Sequence, residues 1–494
     1  MGKVNVFKDF PRTFWVANVL ELFERGAYYG MNSVLAVYLA DSVQSGGLGF
    51  TREAIGLLQS VVYAMTYILP ILGGALADRY GYRRVLMVAL SLLSAGYFAA
   101  GHMSTYGLVF LALLVMATGA GLFKPIISGT VARTTDEKTS AFGFGIYYWM
   151  INLGAFLSPL VVSVLKGFAW KYVFIASALY TGAMLVPTAF FYREPPRPKS
   201  TKSLSETLKG AAEVLGDARF MLMVMVYSVF WILYFQTFGS VLWYLRDFID
   251  REPVSAAGNS LLIAIGLKWT FTFDIEHVTA INAGTIILLQ VVVSRIVAAR
   301  KALPTMMVGM MLGGAGFILL ALSKSAWIYI LGIAVFSIGE MTAHPKYYSF
   351  IGLVAPQDRK AVYMGYAFLY GVVGSLLGSS IGAMLYDRML APVVGTPQAA
   401  GRATLFWGLF AILDMFAILA LYLFARRFTE NTPETRLKAR SIMVWVYMFI
   451  VVLGGGYIFL AVSGPVVKYR VFVQALIFVA LGIGGFLINR RPRE

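Results

Sequence analysis

The segment ELFERGAYYG (residues 21–30) carries acidic and basic groups at helical spacing. The positions i, i+3, i+4 and i+7, which form one face of an α-helix, are held by Glu21, Glu24, Arg25 and Tyr28. The guanidinium of Arg25 can neutralise one carboxylate through two parallel hydrogen bonds. One acid then remains that can take up and release a proton, so the spacing favours proton transfer. The alternative is a purely structural ion pair, which needs only one of the two acids.

Three further apolar segments are interrupted by single polar residues. Lys124 precedes Pro125 in ATGAGLFKPIISG, Asn152 lies in IYYWMINLGAFLSPL, and GEMTAHPKYYSF contains Glu340 and His344. Glu340 has no basic residue one turn away in its own segment, which makes Lys124 its natural partner. Each residue also has a structural alternative: a lysine that reaches the interface, an asparagine that joins helices, and a histidine that caps a turn disturbed by proline.

The composition explains why these polar residues matter. Of the 494 residues, 59% are hydrophobic and 13% are charged, and the mean hydropathy is +0.74. A soluble protein carries about a quarter charged residues, and the apolar runs here reach the roughly 20 residues that cross a bilayer. Ionisable groups at that depth cost about 2.5 kcal/mol or more, so they are rare and usually functional.

The apolar runs predict about fourteen membrane helices. They lie near residues 13–40, 55–77, 84–101, 106–130, 141–165, 170–192, 218–246, 277–299, 304–323, 326–350, 361–386, 403–425, 441–463 and 467–489. With both termini in the cytoplasm, about two thirds of the 41 Lys and Arg residues fall in cytoplasmic segments, as the positive-inside rule expects. The net charge of +17 therefore indicates a multi-pass protein of the inner cell membrane, and not a nucleic-acid partner.

Other residue types exclude several functions. Cysteine is absent, and three scattered histidines give no metal-ligand spacing. No catalytic arrangement of Ser, His and Asp stands out, so we expect no enzymatic activity, no metal and no cofactor, with a proton gradient as the driving force. The first residues read as a short basic lead without a cleavage site.

The order of the segments predicts the fold: an all-α membrane protein with the major facilitator fold. We expect an N-terminal six-helix bundle in 1–192, a basic cytoplasmic linker in 193–217 and a C-terminal six-helix bundle in 218–427. Two extra C-terminal membrane helices and a cytoplasmic tail occupy 428–494. The loop GGALADRYGYRRVL, residues 73–86, matches the loop signature of the major facilitator superfamily.

Several of these segments resemble the proton-coupled oligopeptide transporter family, in order along about three quarters of the chain. Its helix 1 motif ExxERFxYYG is met by Glu21, Glu24, Arg25, Tyr28, Tyr29 and Gly30, with Gly26 in place of Phe. Its helix 4 pattern is met by Gly119, Gly121, Lys124, Pro125 and Ser128. Its helix 5 signature FYxxINxGS is met by Tyr148, Ile151, Asn152 and Gly154, with Tyr147 and Ala155 as conservative departures. Supporting matches are Tyr67, Asn282, Gly339, Glu340, Met364 and Gly365.

The resemblance implies a role for each matched residue. Proton coupling is implied for Glu21, Glu24, Arg25, Lys124 and Glu340. Substrate contacts are implied for Tyr28, Tyr29, Tyr67, Lys124, Asn152, Trp231, Asn282 and Glu340. In that family the lysine and the helix 10 glutamate clamp the two ends of a peptide and pair across the cytoplasmic gate. His344 adds a further titratable group.

The chain departs from the family at the outer gate and in the pocket. Asn32 stands where a second arginine is expected, and Tyr234 and Phe235 stand where an acid is expected. Because both charges of the family's gate are missing together, we expect an apolar or aromatic outer gate. Ala367 replaces a pocket tryptophan, so we also expect one aromatic wall fewer.

The sequence therefore predicts a proton-coupled symporter of di- or tripeptides or peptide-like solutes. Its partners are a small solute, protons and the lipid bilayer. The alternative is a major-facilitator transporter of a non-peptide solute or an efflux protein, which the missing gate charges favour. The sequence assigns no oligomeric state and no role for the C-terminal helix pair or Lys346.

Overall fold

The computed structural model describes residues 10–136, 139–195, 214–355, 360–430, 432–462 and 469–490. In this part of the chain the α-helices are α1 (Arg12–Ala40), α2 (Arg52–Tyr80), α3 (Tyr82–Ala100), α4 (Tyr106–Arg133), α5 (Ser140–Lys166), α6 (Trp170–Ala183), α7 (Leu185–Phe190), α8 (Ala218–Tyr234), α9 (Ser240–Phe248), α10 (Glu252–Ala264), α11 (Glu276–Val297), α12 (Ala302–Leu322), α13 (Ala326–Val354), α14 (Lys360–Tyr366), α15 (Leu369–Met389), α16 (Ala399–Arg427), α17 (Pro433–Val462) and α18 (Tyr469–Arg490).

The helices confirm the predicted all-α membrane fold. Twelve segments of the described chain are long and apolar enough to cross a membrane. The helix α1, with its charged cluster, and the shorter apolar α18 bring the number to the predicted value of about fourteen. The boundaries of the bundles remain predictions, and residues 196–213 of the predicted linker lie outside the described residues.

Local sequence signals set where several helices start and break. The side chains of Thr51 and Asp217 accept hydrogen bonds from backbone N–H groups in the first turns of α2 and α8, which is the usual N-cap arrangement. The predicted single helix over 218–246 is broken, because the turn Phe235–Phe238 is a 3₁₀-helix followed by Gly239 with φ −145° and ψ −93°. The break lies at the level where the outer gate was expected.

The two bundles touch along α2 with α15 and along α5 with α11. A Cβ atom on Gly56 of α2 would lie 2.5 Å from the Cβ of Ala383 in α15. A Cβ atom on Gly371 would lie 2.3 Å from the Tyr67 ring. Both glycines therefore permit a backbone approach between the bundles that a larger residue would block.

The segment at residues 73–86 is almost wholly helical, since α2 ends at Tyr80 and α3 begins at Tyr82. Asp78 is 3.9 Å from a guanidinium nitrogen of Arg133 at the end of α4. The backbone N–H of Arg83 donates to the carboxylate of Glu194, 3.1 Å away. The charged residues of this segment thus contact the end of α4 and the stretch that follows α7.

The C-terminal helices α17 and α18 form a hairpin that contacts both bundles. Gly485 allows α18 to lie against Tyr447 of α17, since a Cβ atom there would be 2.2 Å from the ring. The helix α17 packs on α8 of the C-terminal bundle, and α18 reaches α2 of the N-terminal bundle.

One helix, α10, was not predicted from the sequence. It lies between α9 and α11, and its end and the following loop expose Leu261, Ile263 and Trp269. Exposed apolar and tryptophan side chains next to a membrane helix are typical of a segment at the membrane interface.

Candidate functional site: a charged cluster between two helix bundles

The acidic and basic residues of α1 lie together inside the N-terminal bundle. Glu21, Glu24 and Arg25 are 1%, 0% and 6% exposed. Arg25 forms an ion pair with Glu24, and its Nε lies 3.4 Å from a carboxylate oxygen of Glu21. The other oxygens, Oε2 of Glu21 and Oε1 of Glu24, are buried without a hydrogen-bond partner. Two acids therefore share one guanidinium, and one added proton would make the trio neutral.

The position of this cluster depends on a close contact between α1 and α5. A Cβ atom on Gly154 would lie 2.6 Å from the carbonyl oxygen of Leu22 and 3.2 Å from the Cβ of Arg25. Because Gly154 has no side chain, α5 lies directly against the turn that holds the charges. The matched helix 1 and helix 5 motifs therefore meet in space.

Lys124 of α4 approaches the cluster through aromatic rings. Its ammonium lies 5.1 Å from the centre of the Tyr67 ring and 6.0 Å from that of Tyr28. Arg25 lies 5.0 Å from the same Tyr28 ring. The tyrosines thus stabilise both cations by cation–π contact and keep them apart.

Glu340 lies in the other bundle and is bound by neutral groups. Its carboxylate accepts a hydrogen bond of 3.1 Å from Asn282, whose amide also donates to Ser337 at 2.8 Å. No ion pair within 4.0 Å joins Glu340 to Lys124 among the described contacts. The expected pair is therefore open in this conformation, and both side chains are half-buried. The amide of Asn152 donates to the carbonyl of Tyr148 in its own helix, at 2.9 Å.

Half-buried polar and aromatic residues occur on both bundles. They include Tyr29, Tyr67, Lys124, Asn282, Glu340, His344 and Tyr348. The ring of Tyr67 crosses from the N-terminal bundle to Trp231 and Tyr370, with centroid distances of 6.4 and 6.0 Å. Ala367 is fully buried and contributes no ring, but Tyr370 of α15 supplies an aromatic ring 4.4 Å from Trp231.

Lys346 has a structural position that the sequence did not reveal. Its ammonium donates to the carbonyl oxygens of Ala298 and Arg300, at 3.2 and 2.9 Å. These carbonyls follow the C-terminal end of α11, where unpaired acceptors and the helix dipole favour a cation. Lys346 therefore fastens α13 to α11.

At the level of Asn32 the outer gate is aromatic and neutral, as expected. The Tyr63 hydroxyl donates to Asn32 at 3.0 Å, and its ring stacks on Phe235 at 5.5 Å. Gln59 donates to the Tyr63 hydroxyl at 3.0 Å and to the carbonyl of Phe238 in the other bundle at 2.9 Å. This hydrogen-bond chain closes the gate without a charge.

Further out, however, the gate is charged, which corrects the expectation of an entirely apolar or aromatic closure. Arg52 of α2 lies 2.9 Å from Asp247 and 3.6 Å from Asp387, both of the C-terminal bundle. A second ion pair between the bundles joins Arg246 to Asp41. These groups line a cavity of about 400 Å³ at the outer end.

A third contact between the bundles lies at the end of α5. The ammonium of Lys166, at the end of α5, lies 2.5 Å from Asp274 and 2.6 Å from Glu276. These ion pairs join the start of α2 and the end of α5 to the other bundle.

Sequence reasoning also missed a buried acid in α16. Asp414 is 1% exposed, and a Cβ atom on Gly314 would lie 2.7 Å from its Oδ2. The signal was present, since this is the single charge in the apolar run AILDMFAIL.

Comparisons with known proteins agree with this architecture. Residues 19–379 match the Major Facilitator Superfamily. A Na(+), Li(+), K(+)/H(+) antiporter of Planococcus maritimus is 24% identical over 455 residues, which cover 86% of this chain and 99% of the antiporter. Dipeptide and tripeptide permease A of Klebsiella pneumoniae is 32% identical over 194 residues, which cover 38% of this chain and 37% of the permease.

The match spans about a third of the length of that permease and of other curated transporters. The crystal structure of a peptide transporter POT in complex with sulfate has the same fold, with a TM-score of 0.70 at 20% identity. The structural alignment covers 86% of this chain and 96% of the transporter chain. The chain therefore belongs to the Major Facilitator Superfamily, and its resemblance to the proton-coupled oligopeptide transporters is confirmed.

Proposed function

We propose that the chain is a proton-coupled symporter that imports di- or tripeptides or peptide-like solutes across the inner cell membrane by alternating access. The observation that carries this proposal is the buried cluster of Glu21, Glu24 and Arg25, in which two acids share one base. A buried acid without its own counter-charge is stabilised by a proton, so the cluster has a physical reason to bind one.

The substrate would bind between the two bundles. Lys124 can pair with a carboxylate, and Glu340 can pair with an ammonium group. In this conformation neither is paired with the other, so both ends of a zwitterionic solute find an opposite charge. Tyr29, Tyr67, Asn152, Trp231 and Asn282 are the proposed neutral contacts.

Transport would require the ion pairs that close one side to break while those that close the other side form. The outer ion pairs of Arg52 and Lys166 close the outside here, and they must break when the outside opens. The pairing of Lys124 with Glu340 is proposed for the inward-closed state, where the bundles approach at their inner ends. Binding of substrate would compete with that pair.

The test is uptake into liposomes that contain the purified protein. Labelled dipeptides are supplied under an inward proton gradient, and Glu21→Gln, Glu24→Gln and Lys124→Ala are compared with the wild type. The exposed Glu434, which pairs only with Lys438 at the surface, supplies the control variant Glu434→Gln. We expect gradient-driven uptake in the wild type and the control alone. Uptake that survives both α1 substitutions contradicts the coupling role, and absence of any dipeptide uptake contradicts the substrate.

A second candidate is cation/proton antiport. It is favoured by the full-length similarity to the Planococcus antiporter and by the neutral Asn32 gate. In the same liposomes, dissipation of an imposed proton gradient on addition of Na⁺, Li⁺ or K⁺ would support antiport.

A further inference from the structure

We propose that the segment between α9 and α11 binds the lipid surface at the outer end of the molecule. The segment consists of α10 and the chain that returns to α11, residues 252–273, and we call it the outer hairpin. Its apolar tip, residues 261–269, inserts among the lipid headgroups of the leaflet at that end. The inference goes beyond the proposed function, because it concerns a membrane contact and holds for any transported solute.

The tip is apolar and exposed. Its sequence LLIAIGLKW contains one charged residue, Lys268. Five apolar side chains of the tip are 46–76% exposed: Leu261, Ile263, Ile265, Leu267 and Trp269. Adjacent apolar side chains are rarely left in water in such number, and a patch of this kind marks a contact with a membrane or a protein.

Contacts inside the outer hairpin fix this exposure. The side chain of Asn259 donates to the backbone carbonyl of Phe271 at 2.9 Å and accepts from the N–H of the same residue at 2.6 Å. The Phe271 ring lies against Gly258, where a Cβ atom would be 2.4 Å from the ring. The returning chain therefore covers one side of α10, and the tip cannot fold back onto that side.

The turn at the tip pairs its own backbone groups. Gly266 has a φ of +78°, which lets the chain reverse after α10. Its N–H donates to the carbonyl of Ile263 at 3.0 Å, and the N–H of Leu267 donates to the carbonyl of Leu262 at 2.9 Å. This is the hydrogen-bond pattern that ends a helix at a left-handed glycine. Because these groups are paired, their entry into the edge of the bilayer costs little.

The base of the outer hairpin lies beside the ends of membrane helices. The backbone N–H of Asp250 donates to the carbonyl of Lys324, just before α13, at 3.1 Å. Arg251 forms an ion pair with Asp274, just before α11. Trp327, in the first turn of α13, is 52% exposed, and a tryptophan at the end of a membrane helix marks the level of the lipid headgroups. The outer hairpin therefore begins at the membrane surface.

The length of α10 fits a segment that lies in this surface. It has 13 residues, whereas a helix needs about 20 to cross the hydrocarbon. Apolar helices of about 10–14 residues are typical of interfacial or re-entrant segments.

The charge of the tip favours phospholipid over a second copy of the chain. A symmetric contact between two tips would bring two Lys268 side chains together, and residues 256–273 contain no acid to pair with them. A phospholipid surface supplies phosphate groups, which the ammonium of Lys268 can reach while Trp269 lies at the headgroup level.

The test uses the full chain in vesicles of phosphatidylcholine and phosphatidylglycerol. Because the chain has no cysteine, Ile263→Cys can carry a single environment-sensitive fluorophore. The matched control is Val43→Cys, since Val43 is also 74% exposed and lies in the polar turn after α1. At position 263 we expect blue-shifted emission that brominated lipids quench, with loss of quenching by aqueous iodide. The control should keep unshifted emission that iodide quenches.

A second measurement needs no fluorophore. The difference in emission between the wild type and Trp269→Phe isolates one of the nine tryptophans. Trp269 is 76% exposed, so its replacement by phenylalanine leaves the packing of the chain unchanged. Brominated lipids should quench this difference, and iodide should not.

The lipid contact is supported only if both measurements show quenching by lipid and not by iodide. Iodide quenching at position 263 equal to that of the control overturns it. Protection from both quenchers would mean that protein, such as a second copy of the chain, covers the tip, and this also overturns it. Equal lipid quenching at positions 263 and 43 overturns it as well, because the fluorophore would then enter lipid without the outer hairpin.

None of these readouts depends on transport. Vesicles that fail to take up dipeptides would therefore contradict the proposed function and leave the lipid contact to be decided by the quenching alone.

Discussion

The outer ion pairs predict how readily the transporter opens to the outside. Arg52 belongs to the N-terminal bundle, and its partners Asp247 and Asp387 belong to the C-terminal bundle. Outward opening must separate them, so removal of one partner should raise the outward-open population. The perturbation is Asp247→Asn, which keeps the shape of the side chain and removes its charge. The Tyr386 hydroxyl, which donates to Asp247 at 2.9 Å, can still donate to the amide oxygen.

The magnitude follows from the partial burial of the pair. Two charges 4 Å apart interact by about 4 kcal/mol at an effective dielectric constant of 20, whereas exposed pairs contribute about 0.2–1 kcal/mol. The side chains of Arg52 and Asp247 are 26% and 18% exposed, so solvent screens them in part. We therefore expect about 1–2 kcal/mol, which is about a five- to thirtyfold change in the closed-to-open ratio.

Because the chain has no cysteine, a single introduced thiol reports this ratio directly. Val37 lines the outer cavity and is 2% exposed, so Val37→Cys should react with an impermeant maleimide only when the outside opens. Asp247→Asn in that background should accelerate labelling about five- to thirtyfold, and raised salt should accelerate the parent. Glu434→Gln removes an exposed ion pair far from the gate and should change nothing. Unchanged or slower labelling in Asp247→Asn would refute the assignment of this pair as a closure.

Three further predictions concern packing, capping and pH. Gly154→Ala places a Cβ atom 2.6 Å from the Leu22 carbonyl and should lower the free energy of unfolding by about 1–3 kcal/mol. The measurement is the unfolding temperature. It should be lower than in the control Gly145→Ala, where a Cβ atom meets open space. Lys346→Met removes a buried ammonium from two carbonyl oxygens beyond α11 and should destabilise by about 1–3 kcal/mol; stability equal to wild type would contradict the capping role. Burial raises the pKa of Asp274, but the neighbouring ammonium of Lys166 lowers it by more. The net pKa therefore lies below its ordinary value of 3.8. A group with a lowered pKa contributes its full stabilisation above its ordinary pKa and loses it only as the pH falls through the lowered pKa. The contact between Lys166 and Asp274 should therefore persist from pH 7.5 to 5. Asp274→Asn should accelerate Val37→Cys labelling by the same factor at both pH values.

The fold could be predicted from the sequence because hydropathy determines it directly. Apolar runs of the required length indicated about fourteen membrane helices, although the predicted start of the helix Pro433–Val462 lay eight residues too late. The break at Phe235–Phe238 and the helix α10 were missed. A 3₁₀ turn inside an apolar run has no hydropathy signal, and α10 is too short for a membrane-length pattern.

The candidate site could be predicted where its residues share one helix. The spacing of Glu21, Glu24 and Arg25 determines their common face, and the structure brings them together. Contacts between residues of different helices were harder to predict from the sequence. The sequence suggests Lys124 as a partner of Glu340, but that pairing depends on how far the bundles are apart, and this distance belongs to the conformation.

The family's gate arginine and acid are both missing here, and the residues at those positions do not reveal how the gate is closed instead. A buried arginine and acid have to be lost together, because either one alone would be an unpaired charge. The sequence around Asn32 and Phe235 reveals this loss, but it does not reveal that Arg52 and Asp247 provide a charged closure nearer the solvent. That pair is partly exposed to solvent, so it loses less hydration when it forms than a buried pair would. Dissolved ions also screen it more, so the gate is more sensitive to salt.

This arrangement has a consequence for coupling between the proton site and the gate. Asn32 follows Arg25 by seven residues on the same helix, about 10 Å along its axis. Asn32 is held by Tyr63, which contacts Gln59, and Gln59 binds the C-terminal bundle at Phe238. If α1 moves on protonation of its acids, as the proposed coupling requires, that movement would reach the gate through neutral hydrogen bonds, which have no long-range attraction to oppose separation. The charged cluster and the charged outer pair are thus separated by a neutral layer, and each can change its state at a cost set by its own surroundings.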